Sequence, residues 1–218
     1  MTHHLRNLGL LIFLFLLLQS CISNRAFQTA RTVPKHEIGL GFGTGTQTSK
    51  YISSFSDGTP GDTSELGGFT AEIFARYGLG ERMDAGFYAS LPGSLGLDAK
   101  YQWIGDAESK LAVSSGLGFG YNNSEYDSRN LESISVLELI VPMYISYHPL
   151  PNWGIYASPR FKYHVYGLDN LSYFGGIAGL RFGQKNGLFI EYCYLEPSSD
   201  RVYSNQAQLN IGLGIGIP

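Results

Sequence analysis

Cysteine is nearly absent from these 218 residues, with Cys21 and Cys193 the two present. That excludes a disulfide scaffold. Charge is scarce as well: Asp, Glu, Lys and Arg make up 15% of the chain, against about a quarter in ordinary globular domains. The formal net charge of −3 leaves no basic footprint, so nucleic acid is not an expected partner. After residue 18 no apolar run approaches the ~20 residues a helical membrane span needs. Helical spans are excluded. No metal-ligand cluster, phosphate loop or nucleophile elbow occurs, so no metal or cofactor is expected, and no enzyme. What the chain has in quantity is glycine, 28 residues, and tyrosine, 15. The length suits one large domain.

One long apolar run does exist, and it stands at the start. Residues 8–18 are unbroken and apolar after Arg6, the length of a signal h-region and too short to span as a helix. The run closes on Leu18-Gln19-Ser20-Cys21. This resembles the bacterial lipobox, which implies cleavage before Cys21 and acylation of that cysteine; the alternative is an ordinary signal peptide cut near Ser20. Residues 1–20 are read as a cleaved signal helix and 21–34 as a polar tether. Residues 35–218 form the domain.

The domain's pattern is clearest at its end. Over residues 206–217, Ala207, Leu209, Ile211, Leu213, Ile215 and Ile217 alternate with Gln206, Gln208, Asn210, Gly212, Gly214 and Gly216. A period of two is a strand. One face is lipid-like, and the other is small, as if something crowded lay opposite. The alternation recurs through residues 35–44, 68–77, 83–90, 95–103, 111–121, 137–147, 153–165, 173–182 and 188–194, making ten strands in all. Pro142 and Pro159 each remove a ladder donor, so bulges or interruptions are expected there. The expected fold is all-β: an antiparallel up-and-down transmembrane β-barrel.

Two further patterns agree with a bilayer. Connections near 78–82, 105–109, 148–152 and 183–187 are short, whereas 45–66, 122–132 and 198–205 are long and polar. The reversal near Pro92 is short on the long side. Short periplasmic turns and longer outer loops are the outer-membrane arrangement. On the apolar parity, Tyr77, Tyr101, Trp103, Tyr147, Trp153 and Phe182 gather at the short-turn ends. Phe42, Phe69, Phe87, Phe119, Tyr121, Tyr163, Phe174 and Tyr194 gather towards the other ends. Amphipathic rings settle at headgroup level, so two belts are expected. By that reasoning Arg at Leu139 or Leu213 should cost more than Ser at Gly212.

Residues 28–32 with Lys35, residues 75–79 with Arg82-Met83-Asp84, and residues 97–101 resemble bacterial outer-membrane β-barrel lipoproteins of uncharacterised role. The resemblance implies an outer-membrane barrel of Gram-negative-type envelopes and no chemistry. The terminal Ile217-Pro218 departs from the aromatic end usual in such barrels.

The inward parity collects Glu37, Glu72, Asp84, Asp98, Glu138 and Glu191 against Arg76, Lys100, Arg160, Lys162 and Arg181. Buried charges need partners, so a salt-bridged, largely closed lumen is expected, with Glu138 and Glu191 the candidate partners of Arg160 and Lys162. The functional expectation is a structural or surface-binding barrel lipoprotein. Outer-membrane lipid is one partner, and a surface ligand held by loops 45–66 and 122–132 is another. Porin-like behaviour as a narrow solute-selective pore is the alternative. A hydrolase acting on lipid or peptide would depend on His164, with Tyr166, Asp169 and Ser172 near it in sequence.

Overall fold

The computed structural model describes residues 25–52, 63–91, 93–126, 133–166, 169–198 and 204–218. The signal segment and Cys21 lie outside the described residues, as do the centres of the loops at 45–66 and 122–132. Ten strands follow in order: β1 (Ile38–Ile52), β2 (Thr63–Gly80), β3 (Met83–Leu91), β4 (Ser94–Ile104), β5 (Leu111–Tyr126), β6 (Ser133–Leu150), β7 (Trp153–Tyr166), β8 (Asp169–Phe182), β9 (Asn186–Pro197) and β10 (Ser204–Ile215). Each pairs antiparallel with its sequence neighbours, and β1 pairs with β10, so the sheet is a closed up-and-down barrel. Closure leaves no open edge.

Register keeps like parities together. Phe42 stands beside Ile73 of β2 and Leu213 of β10, all on the outer face. A one-residue slip would turn that whole apolar set inward, which is why the register is so strongly specified. It holds through both prolines: Pro142 opposes Arg160 and Pro159 opposes Gly176, and the bulges lie elsewhere, near strand ends. The prolines interrupt the ladder without shifting it: pairing lapses between Ser115↔Met143 and Gly118↔Ile140 and between Pro142↔Arg160 and Ile145↔Ala157, because a missing donor breaks local bonds while the full face of side chains holds the register.

The strands also run further than the alternation suggests. β1 and β2 extend to Ile52 and Thr63, so the first loop is 53–62 rather than 45–66, and β5 extends to Tyr126. Ser, Thr and Gln on both parities hide the period there while the ladder continues. At that mouth β3 ends at Leu91 with β4 starting at Ser94, and Tyr166 of β7 pairs with Asp169 of β8, so the contrast between the two mouths is smaller than the sequence implies.

The outer wall is apolar. Leu97 (62% exposed), Phe119 (60%) and Leu213 (59%) point away from the barrel. Tyr77, Trp103, Tyr147, Phe182, Phe69, Tyr121, Phe174 and Tyr194 are likewise exposed, with Trp153 and Tyr163 half-buried. Phe42 and Phe87 do not stand at strand ends. They are mid-wall, since Phe87 is central in β3 and Phe42 pairs with mid-strand Ile73. Ile217 departs from the outward parity: Gly216 turns at φ +67° and Ile217 tucks inside, 1% exposed.

Candidate functional site: a lumen holding the chain's own segment

The tether expected over 21–34 is, from residue 25 onward, no tether. Residues 25–34 run inside the barrel, with Phe27, Thr29 and Ala30 at 0% exposure and Val33 at 1%. The segment descends from mid-lumen at Arg25 to the short-turn mouth. There His36, at φ 65°, turns the chain, and Lys35 bridges Gly78 before β1 begins. A polar composition without period suits a tether, and equally suits a peptide that meets a polar cavity. The sequence carries no signal to separate them.

Phe27 explains the glycine face. A Cβ on Gly43 would lie 2.0 Å from its ring and one on Gly212 2.6 Å from it. The ring stacks on Phe74 (5.7 Å between centroids) and meets Phe189 edge-on at 6.3 Å. Phe74, Phe189 and Leu195 were given no face by the alternation. All three point inward, and with Tyr156, Tyr173, Ile177, Cys193 and Ile217 they form an apolar core within the lumen. The crowding opposite Gly41, Gly43, Gly212 and Gly214 is therefore aromatic.

The polar groups hold the segment's main chain. Glu191 accepts from the amides of Ala26 (3.1 Å) and Phe27 (2.6 Å), and from the Tyr156 hydroxyl at 2.7 Å. Ser146 accepts from the Ala30 amide (3.2 Å), Gln102 from Thr32 (3.0 Å), and Asp84 from Val33 (2.9 Å). Lys100 donates to the carbonyls of Thr29 (3.0 Å) and Arg31 (2.7 Å). Side chains join in: Gln28 donates to the Tyr144 hydroxyl at 2.8 Å, and Thr29 to the Pro218 carbonyl at 2.8 Å. Arg31 reaches the Ser109 carbonyl (2.7 Å) in the turn before β5. That turn is built on Asp106. Its carboxylate accepts from the Ser109 hydroxyl and from the Glu108 and Ser109 amides, which hold it below the usual carboxylate range.

The eleven charges expected in the lumen divide into six situations. Arg76 bridges Asp84 (2.6 Å) and Asp98 (2.8 Å), with Lys100 3.6 Å from Asp84. Glu138 pairs with Lys162 at 2.9 Å and faces His164 at 3.7 Å. Glu191 serves the segment and Tyr156 rather than an arginine. Arg160 donates to Ser158 (3.1 Å) and to the Arg25 carbonyl (3.4 Å), and Arg181 to the carbonyls of Gly183, Gln184 and Ile217. Those two bases thus bind oxygens of the chain instead of the expected acids. Glu72 is buried and lines a cavity of about 60 Å³ with Arg25, Tyr88, Tyr144 and Arg160. Glu37 is not lumenal at all. It sits exposed at the rim, where its carbonyl accepts from Gly78, because the pleat starts only after the turn at His36.

His164 is fully buried against Tyr173, with ring centroids 4.9 Å apart. Ser172 lies on the other face of β8 and bonds Ser198. Among the described residues no three His, Cys, Asp or Glu side chains gather as a metal would need.

No family model matches this sequence, and no curated protein matches it. Solved structures do. An outer-membrane channel from Pseudomonas putida F1 is 13% identical, covering 89% of this chain and 99% of its own, with a TM-score of 0.44. The NanC porin is 13% identical over 82% of this chain and 99% of its own, with a TM-score of 0.43. The translocator domain of the autotransporter NalP from Neisseria meningitidis is 13% identical over 81% and 88%, at 0.41. With every score below 0.5, these likenesses carry no weight beyond the barrel seen in the strand ladder itself.

Proposed function

We propose that this chain is an integral outer-membrane β-barrel whose lumen is closed by its own N-terminal segment. It acts as a structural or surface-binding protein, not as a standing pore. One observation carries the membrane part: the wall is apolar outside and polar within, the inverse of a water-soluble protein, and the exposed apolar surface is continuous around the barrel. An apolar groove on that wall, lined by Ile145, Ile155, Ala157, Ala178 and Leu180, suits acyl chains. Strands of 18 residues in β2 and β6 exceed the 9–11 needed to cross a bilayer, so they project beyond it at the 53–62 and 127–132 loops. Those projections are where a surface ligand would bind.

A hydrolase reading has little support. His164 has a carboxylate and a tyrosine beside it, and the nearby serine faces away. A narrow selective pore needs the lumen emptied of residues 25–34. Lipidation at Cys21 belongs to the proposal on the strength of the lipobox resemblance.

The test is reconstitution of the full chain. It should require detergent or lipid, migrate differently before and after boiling, and give no steady conductance in planar bilayers. Leu213→Arg should lower folding stability in lipid by about 2–4 kcal/mol if the site is near the midplane. Solubility without detergent, or reproducible conductance by the intact chain, would overturn the reading.

A further inference from the structure

The barrel is complete without residues 25–34. The ladder closes through β1 and β10, and the segment adds no strand to it. It is held as a ligand is held, inside a finished wall. Most of the grip is on main-chain atoms: the amides of Ala26, Phe27, Ala30, Thr32 and Val33, and the carbonyls of Thr29 and Arg31. Any residue but proline offers both groups, so these contacts read the path of a main chain, which turns at Phe27 (φ 42°), more than a particular sequence. Selection by side chain is concentrated at Phe27, whose ring lies on Gly43 and Gly212 between Phe74 and Phe189.

We propose that the lumen is a binding site for a peptide that carries one aromatic residue and follows this backbone path, turning at φ +42° at the aromatic position, and that residues 25–34 are its built-in, exchangeable occupant. A peptide from another chain that presents an aromatic residue with the same main-chain path would compete for the seat. The inference rests on the seat alone and stands whether or not the barrel resides in the outer membrane.

The experiment cuts the covalent link and leaves everything else in place. Residues 35–37 are exposed, so a site for a sequence-specific protease there, or limited trypsin at Lys35 of the native chain, would detach the segment. Heat-dependent mobility checks that the barrel is intact before and after cutting. Fluorescein-labelled peptide with the sequence of residues 25–34 is then added. The cut barrel should take up the label, and unlabelled peptide should displace it. A peptide with Phe27→Ala should compete at least about 100-fold more weakly, as loss of a buried ring implies. A barrel carrying Glu191→Gln should bind about tenfold more weakly or worse, because a charged acceptor is lost. An intact cut barrel that neither releases its segment nor takes up label would make the segment a fixed part of the core and overturn the proposal. So would unfolding of the barrel on cutting, or equal competition by the Phe27→Ala peptide.

Discussion

Among single residues, Gly212 and Gly43 matter most. From alternation alone, Ser at Gly212 is a mild change on a small polar face. The Phe27 ring makes it a costly one, since an added Cβ would lie 2.6 Å from it and the ring is pinned by Phe74 and Phe189. Gly212→Ser is expected to lower stability by about 1–3 kcal/mol through overpacking. Combined with Phe27→Ala it should cost clearly less than the sum of the two single changes, because the ring it collides with is gone. Thermal or denaturant unfolding of the four variants in one detergent decides this; strict additivity would show that Gly212 does not seat the ring.

At the level of the strand, β7 carries two inward bases that look alike in sequence and differ in role. Lys162 is buried in an ion pair with Glu138 at 2.9 Å, whereas Arg160 donates to Ser158 and to the Arg25 carbonyl. Lys162→Glu would leave Glu138 beside a second carboxylate, and breaking a buried pair costs about 3–5 kcal/mol. Arg160→Glu should cost less, because the hydrogen bonds lost go to Ser158 and the Arg25 carbonyl and not to a carboxylate, and the new carboxylate would share its cavity with Arg25 as well as Glu72. Unfolding midpoints that rank the other way would sink this assignment of partners.

The molecule as a whole sets the way from lumen to lipid. Cys21 precedes Arg25 by four residues, a reach of about 14 Å at full extension. Arg25 donates to the Gly43 carbonyl at 2.9 Å, and β1 continues from Gly43 to Ile52. At ordinary rise and tilt that is about 23 Å of height to the far mouth. The path down to the near mouth is filled by the segment itself. The rim is far lower at the β3–β4 hairpin, since Gly43 pairs with Glu72 and Glu72 with Ser90, so the short way from Arg25 to lipid is over that hairpin. Intact mass should reveal a diacylglyceryl cysteine at residue 21. An unmodified mature N-terminus at another residue would remove lipidation from the proposal.

The sequence by itself determined the wall. A period of two is a local property, imposed by the pleat and by the contrast between lipid and lumen, so strand number, antiparallel order and outward faces were legible in Leu209 to Ile215 and in each earlier copy. The tertiary structure alone decided what fills the lumen. Whether Arg25 to Pro34 hangs free or enters the barrel depends on Glu191, Lys100, Gln102 and Asp84. Glu191 stands on β9 and the other three on the β3–β4 hairpin, some ninety residues earlier, and the two groups face one segment only when the sheet closes. The same holds for the charges. Parity brought Glu191 and Arg160 inward, but which oxygen meets which nitrogen depends on stagger and on the segment between them, and no alternation records either.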